Sequence, residues 1–183
     1  MSATTRRILE LRRHPESWPV PPVRDDDARA MIAHARVARR TSEGLITSYV
    51  HPKGKIGVLV EVNCETEIGA RSQSFAALAR QLAEHIAAAA PLATHRRALP
   101  PALVERKHHT FTSEARAHGK PERHVEMIVE GRMEAFFRAV VLMDQAWIRD
   151  PDMTIAELVA EESSRLGERV LIRRFSRFHI GIA

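Results

Sequence analysis

Two strands joined by a short turn restrict the folds that this chain can adopt. Successive side chains of residues 45–50 fall on alternate faces, as in a strand, and residues 56–64 form a second strand rich in β-branched residues. Between them, Pro52 and Gly54 supply the backbone angles of a turn. Because a lone hairpin is only marginally stable in water, we expect a third strand to complete the sheet. The apolar alternation of residues 170–180 predicts that strand.

Helical spacing dominates the chain between the second and third strands. Apolar residues recur every three or four positions there, while prolines and glycines mark helix starts and stops. Thr154 and Glu157 have the spacing of a capping box. The predicted helices cover residues 72–90, residues 100–118, the run from Pro121 to a break at Asp150-Pro151-Asp152, and residues 154–167. This order predicts an α+β domain, a small antiparallel three-stranded sheet with helices packed on one side.

The N-terminal part has a different predicted structure from the rest of the chain. Residues 1–24 are predicted to be an arm or linker, because four prolines between positions 15 and 22 forbid regular structure. Residues 25–43 are predicted to be a connecting helix, which begins with three aspartates where negative charge is favourable. Residues 44–183 then form the core domain.

Charge and cysteine content narrow the class of partner and the compartment. The chain has 28 basic and 23 acidic residues, a net charge of +5, which favours an acidic protein surface or nucleic acid at low salt. A solvated basic surface explains the same excess. Cys64 is the only cysteine, so an internal disulfide is impossible, although one thiol could bridge two chains. With no apolar run of membrane length and no hydrophobic signal core, we expect a cytoplasmic protein that does not enter membranes.

A polar corner follows the second strand, and it is the candidate functional site. Asn63-Cys64-Glu65-Thr66-Glu67-Ile68-Gly69-Ala70-Arg71 leaves the strand and runs directly into a helix. Exposed corners between rigid elements are common places for residues that act on a partner. The motif is a short acidic tip with an isoleucine at its point. Capping of the following helix by Glu65 and Glu67 is the plainer interpretation of the same carboxylates.

Sequence motifs for covalent chemistry are missing. The ten histidines lack the spacing of a zinc site, so we interpret them as scattered surface residues. The chain contains no Gly-x-Ser-x-Gly elbow, no Walker-type loop and no dinucleotide-binding glycine pattern. We therefore expect no cofactor, no metal and no enzymatic activity.

The last strand admits two interpretations. Arg169, Arg173, Arg174 and Arg177 could follow a phosphate backbone while Phe175 and Phe178 stack on bases. We favour a packing role for the aromatics, because a three-stranded sheet needs them for its core. Alternation predicts one face with Val170, Ile172 and Phe178 and an opposite face with Leu171, Phe175 and Arg177.

Three blocks of residues together resemble the bacterial elongation factor Ts family. The first block is Glu43-Gly44-Leu45-Ile46 with residues 58–66. The second is Glu130-Gly131-Arg132-Met133 with Phe136, residues 142–145, Asp150-Pro151-Asp152 and Thr154. The third is Arg173-Arg174-Phe175 with Arg177, Phe178 and Gly181. Their order and spacing agree with the family over residues 28–181, which makes the resemblance more specific than any one motif.

The resemblance implies a partner and an activity. Family members bind elongation factor Tu carrying GDP and speed nucleotide release without covalent chemistry. Their corner reads Thr-Asp-Phe-Val-Ala-Arg, and its aspartate and phenylalanine insert into the nucleotide domain of Tu. By this resemblance, the Tu-binding residues here are Cys64, Glu65, Thr66, Glu67, Ile68, Gly69, Ala70 and Arg71.

The chain departs from the family pattern at two places. Thr66, Ala70 and Arg71 match the corner, but Glu67, Ile68 and Gly69 replace its Asp-Phe-Val. Residues 1–24 contain no Thr-Gly-Ala-Gly-Met-Met-like motif, which the family carries in its N-terminal domain. An alternative is therefore a paralogue that keeps the fold but binds Tu or RNA without exchange. Short family members can pair as symmetric dimers, and the resemblance makes a homodimer possible for this chain.

Overall fold

The computed structural model describes residues 41–119 and 121–181. The predicted arm over residues 1–24, and most of the predicted connecting helix over residues 25–43, lie outside these ranges. At the end of that predicted helix, Glu43 is instead the first residue of a strand.

The described residues form five strands and five α-helices. In chain order they are β1 (Glu43–Val50), β2 (Ile56–Cys64), α1 (Glu67–Ala70), α2 (Gln73–Ala89), α3 (Pro101–Ala117), α4 (Glu122–Val140), β3 (Ala146–Trp147), β4 (Asp150–Thr154), α5 (Ile155–Leu166) and β5 (Leu171–His179). The α+β class is confirmed, and so is the small antiparallel three-stranded sheet.

The sheet has the order β1-β2-β5, and both pairings are antiparallel. The central strand β2 buries every second side chain: Val58, Val60 and Val62. Helix α2 packs across this face, with Phe75, Leu82 and Ile86 fully buried at helical spacing. The other face of the sheet is free of helices among the described residues, and exposes Ile46, Val50 and Leu59.

A β-bulge in β5 overturns the predicted faces of the last strand. Glu61 pairs with Arg174 while the next residue, Val62, pairs with Ile172, so one residue of β5 is extra. An extra residue reverses the alternation beyond it. Ile172 and Phe175 therefore both contribute to the core, whereas Phe178 is 68% exposed. The prediction that Ile172 and Phe178 share a face is wrong.

The segment after α4 also differs from the prediction. The helix predicted to continue to Asp150 ends at Val140, and the chain then forms the two-stranded ribbon β3-β4. Backbone amides of Leu142 and Met143 donate to the carbonyls of Ala93 and Thr94, at 2.9 and 3.2 Å. These two amides therefore bond to a distant loop and not to carbonyls of a continued helix. The capping box of Thr154 and Glu157 is present as predicted at the start of α5.

Buried His85 links α2 to the segment between α4 and the ribbon. Its Nε2 lies 3.0 Å from Gln145 Oε1, and the Ile148 amide donates to its Nδ1 at 3.4 Å. Gln145 also donates to the carbonyl of Ala139 at 2.9 Å. These partners define a neutral ring with its proton on Nε2. The interpretation of all histidines as surface residues is thus wrong for His85, which is fully buried.

Protonation of His85 should make stability depend on pH. Burial lowers the pKa of His85 below its ordinary value of 6.5. The unfolded chain therefore binds a proton as pH falls through 6.5 while the folded chain resists it, so stability is complete above that pH and declines below it. We expect urea midpoints to fall from pH 7.5 to pH 5.5 more steeply in the wild type than in His85→Gln.

Two other histidines help to isolate the contribution of His85 to the pH dependence. Burial also lowers the pKa of His95, which contributes in the same direction and remains present in both proteins. His109 is exposed, so His109→Gln is the matched control and should keep the wild-type slope of urea midpoint against pH. An equal slope in wild type and His85→Gln would contradict the assignment.

Candidate partner-binding corner

The corner, residues 63–71, connects β2 to α2 through the single turn of α1. Thr66 caps α1, since its hydroxyl accepts a hydrogen bond from the Gly69 amide at 3.1 Å. Ser72 caps α2 in the same way, accepting from the Phe75 amide at 3.2 Å. The two caps follow each other closely, so the backbone turns sharply between β2 and α2.

The predicted tip of the corner lies on the surface. Glu65, Thr66 and Glu67 are exposed, and Ile68 is 85% exposed, the most exposed of the large apolar residues in the described ranges. Arg71 is exposed as well and pairs with Glu67 one turn away, with 2.5 Å between Nη2 and Oε1. An apolar side chain beside an oriented carboxylate can therefore meet another molecule without any unfolding.

Two of the predicted contact residues lie inside the protein instead. Cys64 is fully buried in the core, and its thiol donates to the carbonyl of Thr66 at 3.3 Å. Burial raises the pKa of the Cys64 thiol, and the negative charge of Glu168 adds to this effect. The thiol therefore stays protonated and cannot reach a second chain in this fold. Gly69 is also buried.

Glu168 contacts the corner from a distant part of the chain, and the sequence patterns did not indicate it. The amides of Glu65 and Thr66 donate to its Oε2 at 3.1 and 3.0 Å, and the Thr66 hydroxyl donates to its Oε1. These hydrogen bonds, led by the hydroxyl, hold the pKa of Glu168 below its ordinary value. No local pattern could have revealed this contact, because more than a hundred residues separate the partners.

Gly69 makes room for this carboxylate. A Cβ atom added at Gly69 would lie 2.6 Å from Glu168 Oε2, closer than van der Waals contact allows. In this chain the missing side chain lets a distant glutamate reach the corner backbone.

The arginines of the last strand do not form one line. Arg174 pairs with Glu61 on the exposed face at 2.6 Å, whereas Arg177 donates to the carbonyl of Ala87 in α2 at 3.1 and 3.2 Å. Arg177 is thus committed to packing against a helix. This arrangement weakens the interpretation of β5 as a track for a phosphate backbone.

The described residues lack the features of two other classes of site. Residues 41–119 and 121–181 contain no group of three or more His, Cys, Asp or Glu side chains that could hold a metal ion. No helix of these residues combines the length and apolar character needed to span a bilayer.

Comparison with known proteins decides the family. A family model described as Elongation factor TS matches residues 30–182. The chain belongs to the elongation factor Ts family. An elongation factor Ts of Geobacter sulfurreducens is 43% identical over 149 residues, which cover 81% of this chain and 69% of that protein. An elongation factor Ts of Alkaliphilus oremlandii is 42% identical over 154 residues, covering 84% and 71%.

Membership confirms the resemblance drawn from the three sequence blocks. The matched range includes the whole corner and continues through β5, so both the tip and Glu168 lie within the elongation factor Ts region. The structure adds that the tip of the corner, Glu65 to Ile68, is exposed.

Proposed function

We propose that this chain is a guanine-nucleotide exchange factor for elongation factor Tu and that the corner is its working part. Membership of the elongation factor Ts family supports the activity. The observation that carries the proposal for the corner is the 85% exposure of Ile68 at the point of a capped, hydrogen-bonded turn. A rigid element with an apolar end can enter a partner at little cost in conformational entropy.

The mechanism uses binding energy and needs no covalent step. Burying the Ile68 side chain against Tu would contribute about 1.5–3 kcal/mol from its apolar area. Glu67, held beside Arg71, brings a negative charge toward the region of Tu that binds the magnesium ion and the phosphates. A corner that fits only the form of Tu with a loosened nucleotide shifts Tu toward that form. Reciprocity then requires that GDP weaken the complex by the same factor.

Two of the three substitutions in the corner, Glu67 and Ile68, change the fit but keep the chemical character of the tip. Glu67 keeps the charge of the aspartate that the family pattern has, and reaches one methylene further. Ile68 is smaller than phenylalanine, so it buries less area in the same slot. We expect this chain to act as an exchange factor whose strength the smaller tip reduces. The reaction needs no cofactor of its own, and we expect it to take place in the cytoplasm.

Release of a fluorescent GDP analogue from purified elongation factor Tu tests the proposal. The wild-type chain should accelerate release in proportion to its concentration and then reach a plateau. Excess GDP should dissociate the complex, as reciprocity demands. Light scattering coupled to size exclusion, on the same samples, reports stoichiometry and so also tests the predicted pairing of two copies.

The outcomes separate the two hypotheses. Absence of both acceleration and a complex would refute the proposal. A stable complex without acceleration would favour the paralogue that binds without exchange. Binding to RNA that weakens steeply with salt would instead favour the nucleic-acid alternative.

A further inference from the structure

We propose that Glu168 is a positioning residue for nucleotide exchange, because its carboxylate holds the corner in the shape that reaches elongation factor Tu. This inference rests on the proposed function. The hydrogen bonds that Glu168 makes to the corner go to the amides of Glu65 and Thr66 and to the Thr66 hydroxyl. It would therefore act through those residues and not by touching Tu.

The corner depends on the hydrogen bonds to Glu168, because few hydrogen bonds within the corner stabilise it. Helix α1 has only four residues, too few to be stable through its own backbone hydrogen bonds. Its N-cap, Thr66, supplies one bond to Gly69 and is itself held by Glu168. Without the carboxylate, the amides of Glu65 and Thr66 lose their partners in the protein, and other backbone arrangements become comparable in free energy.

The backbone at Glu168 is well placed to provide that support. Gly167 ends α5 in the left-handed conformation, with φ of 66° and ψ of 19°. The Glu168 amide then donates to the carbonyl of Ser163 at 3.2 Å, and the Val170 amide donates to the Ser163 hydroxyl at 3.1 Å. Strand β5 follows at once, where Leu171 pairs with Asn63 at the base of the corner. A helix end and a sheet pairing thus hold Glu168 from both sides.

Gly69 completes the arrangement and supplies an independent test. Its backbone lies so close to Glu168 that a Cβ atom would meet the carboxylate carbon at 2.9 Å and Oε2 at 2.6 Å. Gly69→Ala should therefore displace the carboxylate from the corner without removing it. The glutamate and the glycine form one structural unit, and substitutions at the two should not be additive.

Kinetics of GDP release distinguish positioning from direct contact or simple loss of stability. In Glu168→Ala, the chain concentration at half-maximal acceleration should rise about tenfold, as expected if about a tenth of the molecules hold the competent corner. The plateau rate should change little, because Tu selects the competent form at saturation. Glu168→Gln keeps the size but not the charge of the side chain, and should recover part of the loss. The double variant with Gly69→Ala should be no worse than the more affected single variant.

Matched controls exist in the same chain. Glu157 is also a carboxylate that accepts a backbone amide and a hydroxyl, both from Thr154 and both at 2.7 Å, but it caps α5 away from the corner. Glu157→Ala should lower the melting temperature without shifting the half-maximal concentration. For Gly69→Ala the control is Gly131→Ala, since Gly131 lies within α4 with open space where the Cβ atom would be.

A second readout needs no Tu and keeps this inference separate from the proposed function. Amide hydrogen exchange over residues 65–68 should accelerate in Glu168→Ala but not in Glu157→Ala. The inference fails if those amides exchange at the wild-type rate, or if both variants shift the half-maximal concentration equally. A wild-type chain that leaves GDP release unchanged would refute the proposed function instead, whatever the amides show.

Discussion

Replacing Ile68 with aspartate should lower the rate of GDP release about thirtyfold at limiting chain concentration, which corresponds to the ~2 kcal/mol typical of a lost apolar anchor. The side chain is 85% exposed, so the substitution removes no packing from the fold. Aspartate would instead have to lose its hydration inside an apolar slot of Tu. Stopped-flow release of the fluorescent GDP analogue measures the effect directly.

The opposite substitution tests the direction of the effect. Ile68→Phe restores the aromatic ring of the family pattern and should raise the rate, because the larger side chain buries more apolar area. Met127→Asp is the matched control, since Met127 is 65% exposed on α4, outside the corner. Equal losses from the two aspartate variants, or a lower rate with phenylalanine, would show that the corner is not inserted in Tu.

Replacing Phe75 with alanine should lower the free energy of unfolding by about 3–5 kcal/mol, the usual cost of a large cavity in a core. Phe75 is fully buried where α2 packs on the sheet, among Val60, Leu78 and Leu142. Urea denaturation followed by circular dichroism provides the measurement. This loss is comparable to the whole stability of many small domains, so the variant should be largely unfolded at 37 °C.

Phe178→Ala provides the matched comparison for this core residue. Simple alternation along β5 predicts a large loss, whereas the bulge leaves Phe178 68% exposed. We expect a change within about 0.5 kcal/mol, as for most surface substitutions. A loss as large as that of Phe75→Ala would mean that the strand has no bulge and that Phe178 belongs to the core.

The sequence determined the features that rest on neighbouring residues. The β-branched alternation of β2, the helical spacing of α2 and the capping box of α5 were all predicted correctly, because short-range backbone preferences and one buried face define each of them. The position of the corner followed from the same signals, since the corner begins where the two-residue alternation of a strand ends and helical spacing starts. The three sequence blocks were then enough to identify the family.

Features that depend on residues far apart in the chain became visible only in the folded protein. The bulge appears only in the register between β5 and β2, and no pattern within β5 indicates it. His85 is buried because Gln145 and Ile148 come to it from another segment. Glu168 reaches the corner because the strand that follows it, β5, pairs with β2. A residue's partner across the fold is set by the packing of whole elements, so local sequence carries no signal for it.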